Sequence, residues 1–224
     1  MVTGLRKSGA SPAAATAFFL GNPALNPAVI VFILLTPGLG WQWALLRAFL
    51  ALVLVFGTAA LVNRIAPPEE VSMHAVHEAS DDAAAPRPQG PLALRWLRSL
   101  GILVVSLIPE YILMILLLGA VRAFIFPKAG PELGNSLLVI LGLAIAGTLF
   151  AIPTAGEIPI IQAMRGFGMG AGPAGALLLT LAPVSLPSLI MVGRVFPKRV
   201  LASIGVAVLA AGLVAGVLAV ALGL

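Results

Sequence analysis

The 224-residue chain has no cysteine and few charges, with nine per cent of residues acidic or basic. Without thiols there is no disulfide framework, no thiolate metal site and no sulfur nucleophile. So few charges exclude an ordinary soluble domain of this length, which would carry about a quarter of its residues as Asp, Glu, Lys and Arg. One tyrosine and two histidines leave little material for acid and base chemistry. There is no H-E-x-x-H, no phosphate-cradling G-x-x-x-x-G-K-[ST] and no intramembrane aspartate pair, so proteolysis in the membrane and ATP-driven pumping have no visible machinery, and no cofactor is expected.

What is abundant is apolar: 60% of residues, with a mean hydropathy of +1.11. Composition therefore predicts an all-α, polytopic membrane helix bundle whose first partner is the lipid bilayer. The net charge of +5 does not indicate nucleic acid, because the basic residues stand at the ends of apolar runs, where topology puts them. Arg6 and Lys7 before an apolar run imitate a signal peptide, yet the run continues to Leu35.

The stretch AFFLGNPALNPAVIV, residues 17–31, contains Pro23 and Pro27 beside Asn22 and Asn26. A proline has no N–H and leaves a carbonyl one turn upstream in need of a partner. Residues 13–35 are long enough to cross a bilayer, about 34 Å at 1.5 Å per residue. They form either one kinked helix or two half-helices, 13–20 and 24–35, meeting at unwound backbone. Thr36, Pro37, Gly38 and Gly40 then make a turn, and Trp41 and Trp43 read as interface anchors for the next span, 44–62.

Residues 63–91 hold five of the eight acidic residues and both histidines, and their composition indicates a solvated loop. Long apolar segments follow at 97–126, interrupted by Pro109 and Glu110, and at 136–152. Beyond the breaker PTAGEIP come a short amphipathic piece to Met164 and the glycine-rich loop 166–172. A second broken span, 173–192, carries Pro183 and Pro187, and a last span covers 200–222. About six spans are expected, divided as 1–62, a polar linker 63–95, and 96–224. Arg6, Lys7, Arg64, Arg95 and Arg98 would share the cytoplasmic side, opposite the turn at Gly38, while the second half remains open between an inverted and a parallel orientation. Gly212 and Gly216 form a small-residue stripe on the last helix, fitted either to internal packing or to a homo-oligomer.

A shift of 160 positions places Pro23 on Pro183 and Pro27 on Pro187, and the flanking basic residue, glycine turn and small-residue helix register as well. Broken spans at corresponding positions of two halves point to a transporter's binding site. Asn22, Pro23, Asn26, Pro27, Pro183, Ser185, Pro187 and Ser188 are therefore the candidate substrate-binding set, with hydrogen bonding to freed carbonyls as the structural alternative.

Glu157, inside TAGEIP, is the strongest coupling candidate, for proton exchange or cation contact, because a carboxylate at membrane depth is costly. Its alternative is a capping box with Thr154, against which Pro159 would fall inside the new helix. Glu110 is a second coupling candidate, or a first-turn acid if a helix restarts at Pro109. His74 and His77 make a weak metal site against solvated histidines in an acidic loop.

The runs LRKSGASPAAATAFFLGNPALNPAVIVF and GEIPIIQAMRGFGMGAGPAGALLLTLAPVSLPSLIMVGRVFP resemble the predicted permeases that include the ArsP-like methylarsenical efflux proteins and their YraQ-like relatives. The resemblance implies a polytopic permease of the bacterial inner membrane with about eight spans, carrying a small solute or ion, by implication outward and for a metal, metalloid or related compound. Many members have a cysteine motif just before the position of Met1, so the first unit is expected to be incomplete. A partner would then supply the missing spans, or the chain would be a non-transporting scaffold or accessory subunit. Lacking thiolates, it is not expected to share a sulfur-based arsenical site.

Overall fold

The computed structural model describes residues 5, 9–66, 134–152, 155–193 and 196–224. The linker with His74 and His77, the segment 97–126 with Glu110, and the Thr154 side of the expected capping box lie outside these residues. Among the described residues the secondary structure is helical throughout.

The first broken span consists of two helices, α1 (Pro12–Ala24) and α2 (Pro27–Leu35). Ser11 caps α1, its Oγ accepting the Ala14 N–H at 3.1 Å. The break falls at Leu25 and Asn26, later than the expected 21–23, because Pro23 is tolerated inside the last turn of α1. Asn26 caps α2, its Oδ1 accepting the Ala28 N–H at 3.0 Å, and Pro27 takes the first helical position, where no N–H is needed. Gly38 and Gly40 turn the chain with φ of 85° and 80°, values that a Cβ would oppose. Helix α3 (Trp41–Ile65) has 25 residues, about 37 Å, which suffices to cross a bilayer.

The second half contains α4 (Leu137–Leu149), α5 (Glu157–Gly166), α6 (Ala171–Thr180), α7 (Leu186–Val192) and α8 (Lys198–Ala221). The span expected over 136–152 reaches only 13 helical residues in α4, about 20 Å, short of a hydrocarbon core of about 30 Å. The expected span 173–192 is divided into α6 and α7, so these pieces enter the bundle without crossing it individually. Helix bounds follow the 160-residue offset to within a few positions, α1, α2 and α3 corresponding to α6, α7 and α8.

Every residue of α6 is buried, and α8, α4, α5 and α3 all pack on it. Its most extensive contact is with α8. A Cβ at Gly175 would stand 2.6 Å from the Ala215 carbonyl oxygen, and one at Gly216 would stand 2.8 Å from the Gly172 carbonyl oxygen. The small-residue stripe of α8 therefore serves internal packing, in contact with α6 and α4.

Two core clusters fix the direction of the long helices. Trp43 and Leu46 of α3 share one with Ala215 and Ala219 near the end of α8, together with Ile158 and Ile161 of α5. Val62 shares the other with Val200 and Ile204 near the start of α8. Helices α3 and α8 thus run antiparallel. Outward faces carry Phe49, Phe56, Ile190, Met191 and Val206, each more than half exposed, as a surface made for lipid. Trp41 is exposed in the manner of an interface anchor, whereas Trp43 is not. It is buried, with the Arg165 guanidinium 4.9 Å from its ring centroid.

Candidate functional site

Arg47 and Glu157 form a buried ion pair in the first core cluster, with side chains 1% and 0% exposed. Arg47 Nη2 lies 2.8 Å from Glu157 Oε1. The same nitrogen donates to the carbonyl of Pro23 at 3.2 Å, and Nη1 donates to the carbonyl of Leu178 at 2.9 Å.

Each acceptor is available for a backbone reason. The Pro23 carbonyl would have bonded the N–H four residues on, and that residue is Pro27, which has none. Leu178 belongs to the last turn of α6, where carbonyls have no intrahelical partner. Arg47 therefore satisfies one freed carbonyl from each broken span with a planar fork of donors, a geometry that lysine cannot reproduce.

Glu157 opens α5, and its carboxylate stands at the positive end of that helix dipole. Gly156 takes the cap position, and no side-chain capping bond is made there. Pro159 falls within the first turn, where its missing N–H costs no hydrogen bond, so a helix starting here is compatible with it. Glu157 Oε2 and Arg47 Nε are buried without hydrogen-bond partners among the described residues. The pair is thus joined through one oxygen and one nitrogen, leaving one acceptor and one donor uncommitted.

Along α3, Arg47 is about 9 Å from Trp41, roughly a third of the way across a 30 Å core. The site is inside the membrane, on the Trp41 side of the midplane.

The expected binding set divides. Pro23 enters the site through its carbonyl, and Pro27 creates the vacancy that Arg47 fills. Asn26 is committed to capping α2. Ser185 and Ser188 cap α7 reciprocally, Ser185 Oγ accepting the Ser188 N–H at 3.3 Å and Ser188 Oγ accepting the Ser185 N–H at 2.9 Å. Pro183 is buried, while Asn22 and Pro187 are exposed. The polar side chains of the two breaks are thus mainly structural, and the charged pair stands between the breaks.

Arg47 is the residue that attention to prolines misses. Its signal was present: a single arginine in the otherwise uncharged run 41–63, at a depth where an ionisable residue is by default functional. Nothing in sequence marks Leu178. Among the described residues no group of three or more His, Asp or Glu side chains is arranged to hold a metal.

Long apolar helices, two proline-broken spans and a buried ion pair between them define an integral membrane protein built on broken helices. The chain belongs to the predicted-permease family, whose model matches residues 1–220. It is 43% identical over 219 residues to the UPF0718 protein YraQ of Escherichia coli K12, covering 98% of this chain and 61% of that protein. It is 33% identical over 129 residues to the UPF0718 protein MJ0584 of Methanocaldococcus jannaschii, covering 55% of this chain and 35% of that one. The chain thus spans less than two thirds of the length of these relatives. No solved structure matches it.

Proposed function

We propose that the chain is the core of a permease that moves a small solute across a bacterial plasma membrane by alternating exposure of the region between its two broken spans. The observation that carries this reading is the Arg47 guanidinium, which joins a carbonyl from each break to the buried Glu157 carboxylate. A rearrangement of either break must remake these bonds, so the ion pair and the breaks are coupled. Glu157 exchanges a proton as the site reorients. Outward movement of a metal, metalloid or related compound is the direction and class that family resemblance suggests; without cysteine, recognition would fall to oxygen and nitrogen groups.

The test is flux from proteoliposomes loaded separately with arsenite, arsenate and zinc. Flux above protein-free vesicles, dependent on pH and lost in Glu157→Gln while membrane insertion is retained, is the expected result. Unchanged pH-dependent flux in that variant would sink the role of Glu157. No flux of any probe would favour the scaffold or accessory alternative.

A further inference from the structure

We infer that the site is built for a monovalent anion that takes Arg47 over from Glu157, with one proton taken up by the carboxylate in the same event. The inference rests on the permease reading and names its substrate class and stoichiometry.

Charge decides the class. Arg47 remains protonated under any accessible condition, and its Nη2 already lies 2.8 Å from Glu157 Oε1. A cation approaching that carboxylate would stand within a few ångströms of the guanidinium in a medium of low effective dielectric, where like charges repel strongly. Direct cation contact at Glu157 is therefore disfavoured. An anion approaching Arg47 meets the converse arrangement, with Glu157 as the built-in competitor it must displace.

Among the described residues the surroundings supply no second counter-charge. Helices α1, α2 and α6 carry no ionisable side chain. The other charged residue of α3 is Arg64, in its last turn, and the other one of α5 is Arg165, beside Trp43 at the far end of that helix. Among the described residues Arg47 and Glu157 thus balance each other, and removing the carboxylate's charge leaves Arg47 with two backbone carbonyls there. A buried cation in that condition is costly unless another anion replaces the lost one.

The exchange balances. In the resting site, Arg47 is positive and Glu157 negative, with net charge zero. A proton from solution adds to the carboxylate, whose Oε2 has no partner among the described residues, and the anion occupies the donors of Arg47, where Nε has none among them. The loaded site again has net charge zero. Anion and proton consequently enter and leave together, their movement is electroneutral, and its direction follows their combined gradient. The shared chemistry is a compact planar or tetrahedral oxyanion able to accept two parallel N–H bonds.

The full chain in detergent is titrated with formate, nitrate and perchlorate, which keep a single charge throughout, at about pH 5.5 and about pH 8, reading thermal stabilisation as occupancy. One-for-one coupling predicts that the apparent Kd of a bound anion rises about tenfold per pH unit once Glu157 is ionised. Glu157→Gln removes the competitor, so it should bind the anion with the affinity nearly level across that range. The double variant Arg47→Gln with Glu157→Gln keeps a neutral, hydrogen-bonding pair and should assemble without responding to anions. Absence of Arg47-dependent stabilisation by all three probes overturns the inference, as does equal pH dependence in wild type and Glu157→Gln. Silent anion titrations together with Glu157-dependent zinc flux in vesicles would discard the anion site and retain the permease.

Discussion

Arg47 Nη1 donates to the carbonyl of Leu178 across 131 positions of sequence, at 2.9 Å and fully buried. This bond joins the early part of α3 to the last turn of α6, while the neighbouring nitrogen reaches α1 and α5. One side chain thereby fastens α3 to three helices whose own hydrogen-bond ladders begin or end near the contact.

Loss of either charge should be far worse than loss of both. Arg47→Leu leaves Glu157 buried with no counter-ion, and a cost of about 3–5 kcal/mol is expected. Replacing the pair by Gln at both positions removes both desolvation penalties and should recover most of that loss. A double-mutant cycle on detergent melting measures the difference, and additive single effects would show that the pair is not coupled. Arg47→Lys keeps the charge without the fork and should fall between wild type and Arg47→Leu.

The interface between α6 and α8 makes a sharper prediction about size. Gly175→Val pushes a branched side chain against the Ala215 backbone, which has no rotamer to yield. Destabilisation at the upper end of the roughly 1–3 kcal/mol range for overpacking, or beyond it, is expected. Gly142→Ala and Gly205→Ala lie in helices with open space at the new Cβ, so they should be neutral or stabilise by up to about 1 kcal/mol. Equal behaviour of the two groups in melting experiments would contradict the close approach.

Much of this architecture was legible in the sequence because prolines report on the backbone without reference to anything distant. Pro27 and Pro187 each fall in the first turn of a helix that follows a break, and the same 160-residue offset relates them. Helix length was less legible, since hydropathy is continuous through 136–152 although the helix ends at Leu149. Burial within a membrane bundle leaves no amphipathic stripe to mark the boundary. The site itself was half visible: Glu157 announced itself by charge, but its partner lies 110 positions away. Trp43 departs from its expected role for a related reason, because an aromatic at a span's end has the sequence of an anchor, and only the fold brings Arg165 over its ring.

Pro27→Ala tests whether the break supplies the acceptor for Arg47. An alanine restores the N–H that the Pro23 carbonyl lacks, and the two donors then compete for one oxygen. The ladder across Leu25 and Asn26 should partly close, drawing α1 and α2 toward a continuous helix and loosening the guanidinium. Solute flux is expected to fall several-fold with insertion retained. Asn26→Ala should by contrast cost about 1 kcal/mol of stability, the loss of one cap, with a smaller change in flux. A Pro27→Ala protein with wild-type flux and coupling would remove the break from the mechanism.

The orientation left open by charge counting is decided by the packing of α3 against α8. Arg64, Ile65 and Ala66 line one cleft with Lys198 and Arg199, so the end of α3 and the start of α8 belong to the same membrane surface. The turn holding Gly38 precedes α3 and belongs to the other. The chain has no cysteine, so single introduced cysteines report without background. Arg64→Cys and Lys198→Cys should react with a membrane-impermeant maleimide from one side, and Gly38→Cys from the opposite side. The basic pair of sites should face the cytoplasm, since cationic ends of short connections are retained there. Labelling of the first two positions from different sides would separate the termini of α3 and α8 and require the bundle to be rebuilt, because the contacts of Val62 with the Val200 and Ile204 cluster admit no other arrangement.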